Sequence, residues 1–224
     1  VVRQTKADKL KVDKSEIDKS LTKQVRDAKA TQAVILAAAE AEFAQHGLTA
    51  ARTEAIAAQT GVAKSMIYYY FKDKAGLYQA VLEQSHADLL RTVQQLNLDH
   101  LAPTEALEQF LTALLNCVSN NPKLPLIMFH EAIQNQGQYY RQSDSISIDT
   151  ILIIILERGV STGEFRQLDP FQAAINIMGT CLFYFIGAGN IQQHSRSKKL
   201  LSQAMLEQHT QEAIALVLAG VQAC

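Results

Sequence analysis

The stretch that decides the fold is TEAIAAQTGVAKSMIYYYFKDK, Thr53 to Lys74. Two short helix-favouring segments flank Gly61, which is what a helix-turn-helix requires. Thr53–Thr60 is Ala-rich, Gly61 can take the left-handed backbone conformation at the turn, and Val62 opens a second segment that runs to Tyr70. Ile56 and the small Ala57 face inward from the first segment, and Val62 and Ile67 plug the second into the same core. Lys64, Ser65, Met66 and Tyr69 are left on the outer face, a set suited to a DNA major groove and its flanking phosphates. Successive helical residues point about 100° apart, so Tyr68, Tyr69 and Tyr70 cannot all face one core. Tyr69 is assigned outward, Tyr68 less so, and Tyr70 to the core.

Outward from this stretch the text stays helical. From Thr31, the residues Ile35, Ala39 and Phe43 recur every fourth position, and Gly47 supplies the stop. Lys74 to about Leu96 reads as one long helix with Leu77, Val81, Leu89 and Val93 on one side. Further helices are expected at Pro103–Val118, Pro125–Gln134, Ser145–Arg158 (ending at Gly159), Pro170–Gly189 and Leu200–Val221. Asp169-Pro170 places a capping residue before a first-turn proline. The apolar run Ile151–Leu156 could be a buried strand in isolation, but no alternating partner segment accompanies it. The expected fold is all-α, of about nine helices.

The run G-V-x-K-S-x-I-Y-Y-Y-F-x-x-K-x-x-L-Y, with Ala39, Phe43 and Gly47 before it, closely resembles the TetR family of bacterial transcription factors. The resemblance covers roughly residues 30–82. It implies an N-terminal three-helix DNA-binding domain over 30–82 and a helical effector-binding and dimerisation domain over 83–224. It also implies roles for particular residues. Lys64, Ser65 and Met66 stand at the start of the recognition helix. Tyr68 and Tyr69 stand where family aromatics touch phosphates or thymine methyls. Lys74 stands where a phosphate is clamped at a helix N-terminus, and Arg52 and Thr53 stand at another phosphate position. Phe71 and Leu77 look like core. Ala63 departs from the family's Ser or Thr cap, a loss of about 1 kcal/mol, and Ala51 and Arg52 stand where hydroxyl residues are common.

Composition is consistent with a folded helical chain: 48 % apolar, 19 % charged, four prolines and ten glycines in 224 residues. Residues 1–29 carry nine basic and five acidic side chains, 30–78 four of each, and 79–224 eight basic and thirteen acidic. Only the N-terminal part therefore favours phosphates. Residues 1–29 are expected to be a flexible basic arm, with a frayed helix around Ile17, Leu21 and Val25. Cys117, Cys181 and Cys224 fit no zinc spacing or disulfide framework, so a reducing cytoplasm is expected, with Cys117 and Cys181 as buried small apolar residues and Cys224 terminal and open to solvent. The polar N-terminus lacks the apolar core of a signal peptide. Ile175–Ala188 is shorter than the roughly 20 residues of a spanning helix, so no membrane partner is expected. His130-Glu131 is half of an H-E-x-x-H zinc motif, but position 134 is Gln, so no metal is expected; a cavity-facing pair or a satisfied core histidine remain open. No G-x-S-x-G, G-x-G-x-x-G, Walker A or C-x-x-C motif is present. Neither an enzyme nor a cofactor is expected.

The resemblance implies pairing through the last two helices, here 170–189 and 200–221, whose Gly179, Ala188, Ala204, Ala213 and Ala215 allow close packing. A dimer is also what two half-sites one DNA turn apart require. The partners expected are double-stranded operator DNA, a second copy, and a small apolar or aromatic effector that releases the repressor. Candidate lining residues are Phe110, Leu114, Cys117, Met128, Phe129, His130, Tyr139, Met178 and Phe183. Two other readings stay open: control by a protein partner, and a helical interaction module with a degenerate helix-turn-helix.

Overall fold

The computed structural model describes residues 5–140, 147–195 and 199–223, with side chains from residue 26 onward. Among these residues there are nine α-helices and one short 3-10 turn, Leu98–His100. The helices are α1 (Thr5–Ala50), α2 (Thr53–Thr60), α3 (Lys64–Phe71), α4 (Lys74–Gln94), α5 (Pro103–Asn120), α6 (Lys123–Asn135), α7 (Ile148–Thr162), α8 (Pro170–His194) and α9 (Gln203–Val221). Among the described residues one bridge of strand type joins Phe165 to Gln222.

The helical backbone already begins at Thr5, so residues 5–29, expected as an arm, continue into α1. Gly47 breaks α1 with φ of 67°, and Gly163 ends α7 with φ of 78°, both values that favour glycine. Gly159 does not end α7 as expected. It is buried inside the helix because the Phe165 ring occupies the space a Cβ would need. Asp169 caps α8 as expected, accepting from the Gln172 N–H at 2.9 Å. That helix runs on past Gly189 to His194. By length and composition alone its 25 residues would suffice to cross a membrane, and 33 % of its most apolar window is buried here.

Two cores hold the chain. The first is made by α1–α4 and Ile127 of α6; Ile35, Phe43, Ile56, Ile67, Leu77 and Tyr78 are fully buried in it. Each such side chain contributes roughly 1.5–3 kcal/mol. Phe43 meets Tyr78 edge to face at 4.9 Å between ring centres, and Tyr78 meets Tyr139 at 5.3 Å. The second core is larger and joins α4 to α9 around Phe110, Leu114, Leu152, Leu156, Phe165 and Cys181. Helix α6 lies between them. It packs more extensively on α1 than any other pair of helices do on each other, while its Leu124 belongs to the second core.

Candidate DNA-reading surface and internal cavity

The α2–turn–α3 unit is fixed by its buried face and by its turn. Ile56 and Ile67 lock the two helices into the first core. Gly61 adopts φ 69° and its N–H donates to the Ala57 carbonyl at 2.9 Å. The Thr60 hydroxyl donates to the Ile56 carbonyl and accepts from the Val62 N–H, so it ties the turn from both sides. No side chain caps α3 at Ala63. Asp73 caps α4, accepting from the Gly76 N–H at 2.7 Å. What remains outward on α3 is Ser65, Met66, Tyr68 and Tyr69, with Tyr69 78 % exposed.

Several polar residues around this face are already engaged. The Lys64 ammonium pairs with the Glu54 carboxylate, and its Nζ lies 5.5 Å from the centre of the Tyr68 ring. The hydrogen bond from Lys64 holds the Glu54 carboxyl below the usual range and raises the lysine. The Tyr68 hydroxyl and the Thr53 hydroxyl lie 3.1 Å apart, and Thr53 is buried, so it faces its neighbour rather than solvent. Arg52 is exposed, while its backbone N–H donates to Glu42 at 2.9 Å. Lys74 donates to the carbonyls of Thr49 and Ala51 at 3.0 and 3.1 Å, which fastens the start of α4 to the end of α1. Sequence reasoning did not find Glu54 as the partner of Lys64. The signal would have been one acid ten residues before the only cation on the outer face.

Behind this unit lies a cavity of about 560 Å³ between α4, α5, α6, α7 and α8. Four of the nine expected lining residues meet there: Leu114, Met128, Tyr139 and Met178. The other five do not. Phe110 is fully buried in the second core, Phe129 and Phe183 face outward, and Cys117 lines a separate groove of about 920 Å³ between α1, α4 and α5. His130 sits beside Gln134 on α6, with Nδ1 3.2 Å from its amide. Glu131, its neighbour, is fully buried and accepts from the Tyr139 N–H at 2.8 Å and the Asn135 amide at 2.6 Å. The half-motif is thus a structural brace for the α6 C-terminus.

The cavity is less apolar than the sequence suggested. Glu83, Ser85 and His86 of α4 and Ser147 and Asp149 at the start of α7 also line it. The expected lining, drawn mostly from aromatic and sulfur-bearing side chains, did not include them. Their signal was His86 within the apolar stripe Leu82, Leu89, Leu90 of α4. Of the cysteines, Cys181 is buried, which pushes its thiol up to about 12, Cys117 is half-buried with its thiol also raised, and Cys224 lies outside the described residues. Among the described residues no cluster of three or more His, Cys, Asp or Glu side chains could hold a metal.

Comparison with known proteins decides the family. Residues 35–81 match "Bacterial regulatory proteins, tetR family", and residues 103–217, just over half of the chain, match "Tetracyclin repressor-like, C-terminal domain". The chain belongs to the TetR family. It is a DNA-binding transcriptional regulator, and α2 and α3 are its helix-turn-helix. It is 29 % identical over 78 % of its length, and 82 % of the other protein, to the transcriptional repressor NicS of Pseudomonas putida. Against the transcriptional repressor SCO4008 of Streptomyces coelicolor it is 35 % identical over 49 % of its length, which spans 53 % of that protein. The fold is similar to that of the ketosteroid transcriptional regulator KstR2 of Mycobacterium tuberculosis, with a TM-score of 0.68 and 20 % identity, covering 86 % of this chain and 95 % of that one. In TetR terms the first core is the DNA-binding domain and the second is the body behind it.

Proposed function

We propose that the chain is a cytoplasmic homodimeric repressor released from operator DNA by a small molecule bound in the α4–α8 cavity. The observation that carries this reading is the cavity's position. Leu82 of α4 and Leu124 and Met128 of α6 form its wall, and both helices pack on the DNA-binding core. A ligand that favours one packing of α4 and α6 therefore changes where α3 sits. Such coupling is typically 1–3 kcal/mol and is reciprocal, so DNA weakens the ligand by the same factor.

Pairing is supported by α8. Phe171, Ile175, Gly179 and Phe183 recur every fourth residue on its outer face, and Phe171, Ile175 and Phe183 are each more than half exposed. Leu216 of α9 is exposed beside small Ala215 and Ala219. A stripe of this kind normally marks an interface. It also accounts for an apolar helix that is poorly buried in one copy.

The test is fluorescence anisotropy of the full chain on the DNA upstream of its own gene, with a scrambled duplex as control. Saturable, salt-sensitive binding that prefers the native duplex and is lost in Tyr69→Ala supports the regulator. Tyr69→Ala is the cleaner control, because Lys74→Ala also removes the tie between α4 and α1. Sedimentation of the free protein as a monomer that stays monomeric on DNA would sink the paired reading.

A further inference from the structure

Tyr139, just past the end of α6, belongs to both the cavity and the DNA-binding core. It lines the space of about 560 Å³. Its ring also meets Tyr78 of α4 edge to face at 5.3 Å between centres, and Tyr78 meets Phe43 of α1 in the same way at 4.9 Å. Tyr78 and Phe43 are fully buried. Aromatic pairs favour this edge-to-face geometry, so the three rings form one packed row from the cavity wall to α1. The turn after α6 holds Tyr139 in that row. Gln136 and Gly137 reverse the chain with φ of 55° and 71°. A non-glycine residue in this region persists only where its surroundings fix it. Glu131 does so: it is fully buried, and its carboxylate accepts from the Tyr139 N–H at 2.8 Å and the Asn135 amide at 2.6 Å.

We propose that Tyr139 is the positioning residue through which the contents of the cavity act on the DNA-binding core, with Glu131 as its anchor. The inference rests on the effector reading above and deepens it by naming the residue that carries the signal. A molecule entering the cavity presses on the Tyr139 ring. Behind that ring stands Tyr78, and behind Tyr78 stands Phe43, in a core whose side chains are closely packed. Such a core passes a displacement on rather than absorbing it. The helices that receive it are α4 and α1, and these are the ones on which α3 and α2 pack. Coupling between two sites is reciprocal. DNA on the outer face of α3 therefore alters the cavity wall, and does so through Tyr139.

The experiment is NMR of the full chain with methyl-labelled methionine, free and with the duplex upstream of its own gene, so no ligand is needed. The four methionines report from separate places: Met66 on α3, Met128 and Met178 on the cavity wall, and Met205 on α9 as the reference. DNA is expected to shift Met66 directly and Met178 by reciprocity. Tyr139→Leu keeps an apolar side chain on the wall but removes the ring. In that variant Met66 is expected to shift as before, while the Met178 shift is largely lost. Tyr139→Phe keeps the ring and is expected to retain both shifts. A merely structural role for Tyr139 would lower the melting temperature of Tyr139→Leu and leave the Met178 response intact. A Met178 shift that survives Tyr139→Leu, or that is lost equally in Tyr139→Phe, overturns the role of the ring and leaves the effector reading standing. A wild-type Met66 that shifts while Met128 and Met178 stay still overturns the coupled cavity and the assignment together. No shift at any methionine overturns the regulator reading on this duplex, and the assignment with it.

Discussion

The two cores of this chain differ in how fully they are filled. The DNA-binding core is small, closed by aromatic edge-to-face contacts, and has Phe43, Tyr78 and Ile67 wholly out of solvent. The body core is larger, yet a cavity of about 560 Å³ opens beside it with polar side chains on its wall. The first unit leaves little room to repack, and the second has space beside it. Helix α6 belongs to both, with Ile127 in the first core and Leu124 and Met128 at the cavity. A filled core transmits a displacement of α6 rather than absorbing it.

The comparison can be broken most severely at Phe43 and Met178. Phe43→Ala removes a fully buried ring from the filled core, and a loss of about 3–5 kcal/mol is expected in chemical denaturation. Met178 is only partly buried on the cavity wall, so Met178→Ala is expected to cost only about 1 kcal/mol, below the usual range for truncating a fully buried Met. Equal losses would mean that the cavity is collapsed in solution.

Glycines give the next largest contrast. A Cβ at Gly76 would lie 2.3 Å from the Phe71 backbone carbonyl, so the α3–α4 junction itself must move. Gly76→Ala is expected to cost about 3 kcal/mol, a fall of about 10 °C in Tm, and to weaken DNA binding. Gly179 on the outer face of α8 meets nothing within 4 Å. Gly179→Ala is expected to stabilise an isolated chain by about 0.5–1 kcal/mol. A loss there, with a weaker dimer by sedimentation, would mark Gly179 as the point where two copies approach closely.

The same contrast governs what the sequence made legible. The small core left little freedom. Ile56, Ile67, Phe43 and Leu77 had to be inside, and the helix-turn-helix with its Gly61 turn followed at nearly the right boundaries. The body's helices were legible as helices, because apolar stripes at helical spacing survive any arrangement. Their mutual rotation was not legible. Phe129 and Phe183 read like Phe110 in sequence, but two of these rings face outward and one is core. Gly159 looked like a stop because a helix break and a close approach by Phe165 demand the same residue. The outer face of α3 was legible in identity and not in its partnerships, since Glu54 and Thr53 reach Lys64 and Tyr68 only once α2 and α3 are crossed.

A smaller effect separates the α8–α9 pair from the DNA-binding unit by pH. His209 stacks on Tyr184 at 4.1 Å, with a ring nitrogen 3.3 Å from the Cys181 carbonyl. Burial lowers its pKa below the ordinary 6.5. The unfolded chain therefore takes up a proton first as pH falls. The stability that neutral His209 contributes is present above about pH 6.5 and is lost as pH drops through its lowered folded value. Thermal melts from about pH 7.5 to about pH 5 should show this decline, and His209→Phe should flatten it. An unchanged slope in the variant would assign the acid sensitivity to other groups.

The smallest expected effect lies at the outer face of α3, the proposed DNA-reading surface. Lys64 is the cation at the start of α3, and in the free protein Glu54 holds it. Both side chains are largely exposed, so breaking the pair should leave the melting temperature unchanged. Glu54→Gln removes the competing carboxylate and one unit of negative charge from the face. Operator affinity should rise by about threefold at low salt, and the slope of log K against log salt should steepen by about 0.9, one additional phosphate contact. Lys64→Met should shift both quantities the other way. If Glu54→Gln instead weakens binding, the carboxylate is an orienting partner that points Lys64 into the groove. The lysine would then read bases rather than phosphates, and its loss would show as relaxed sequence preference with little change in salt slope.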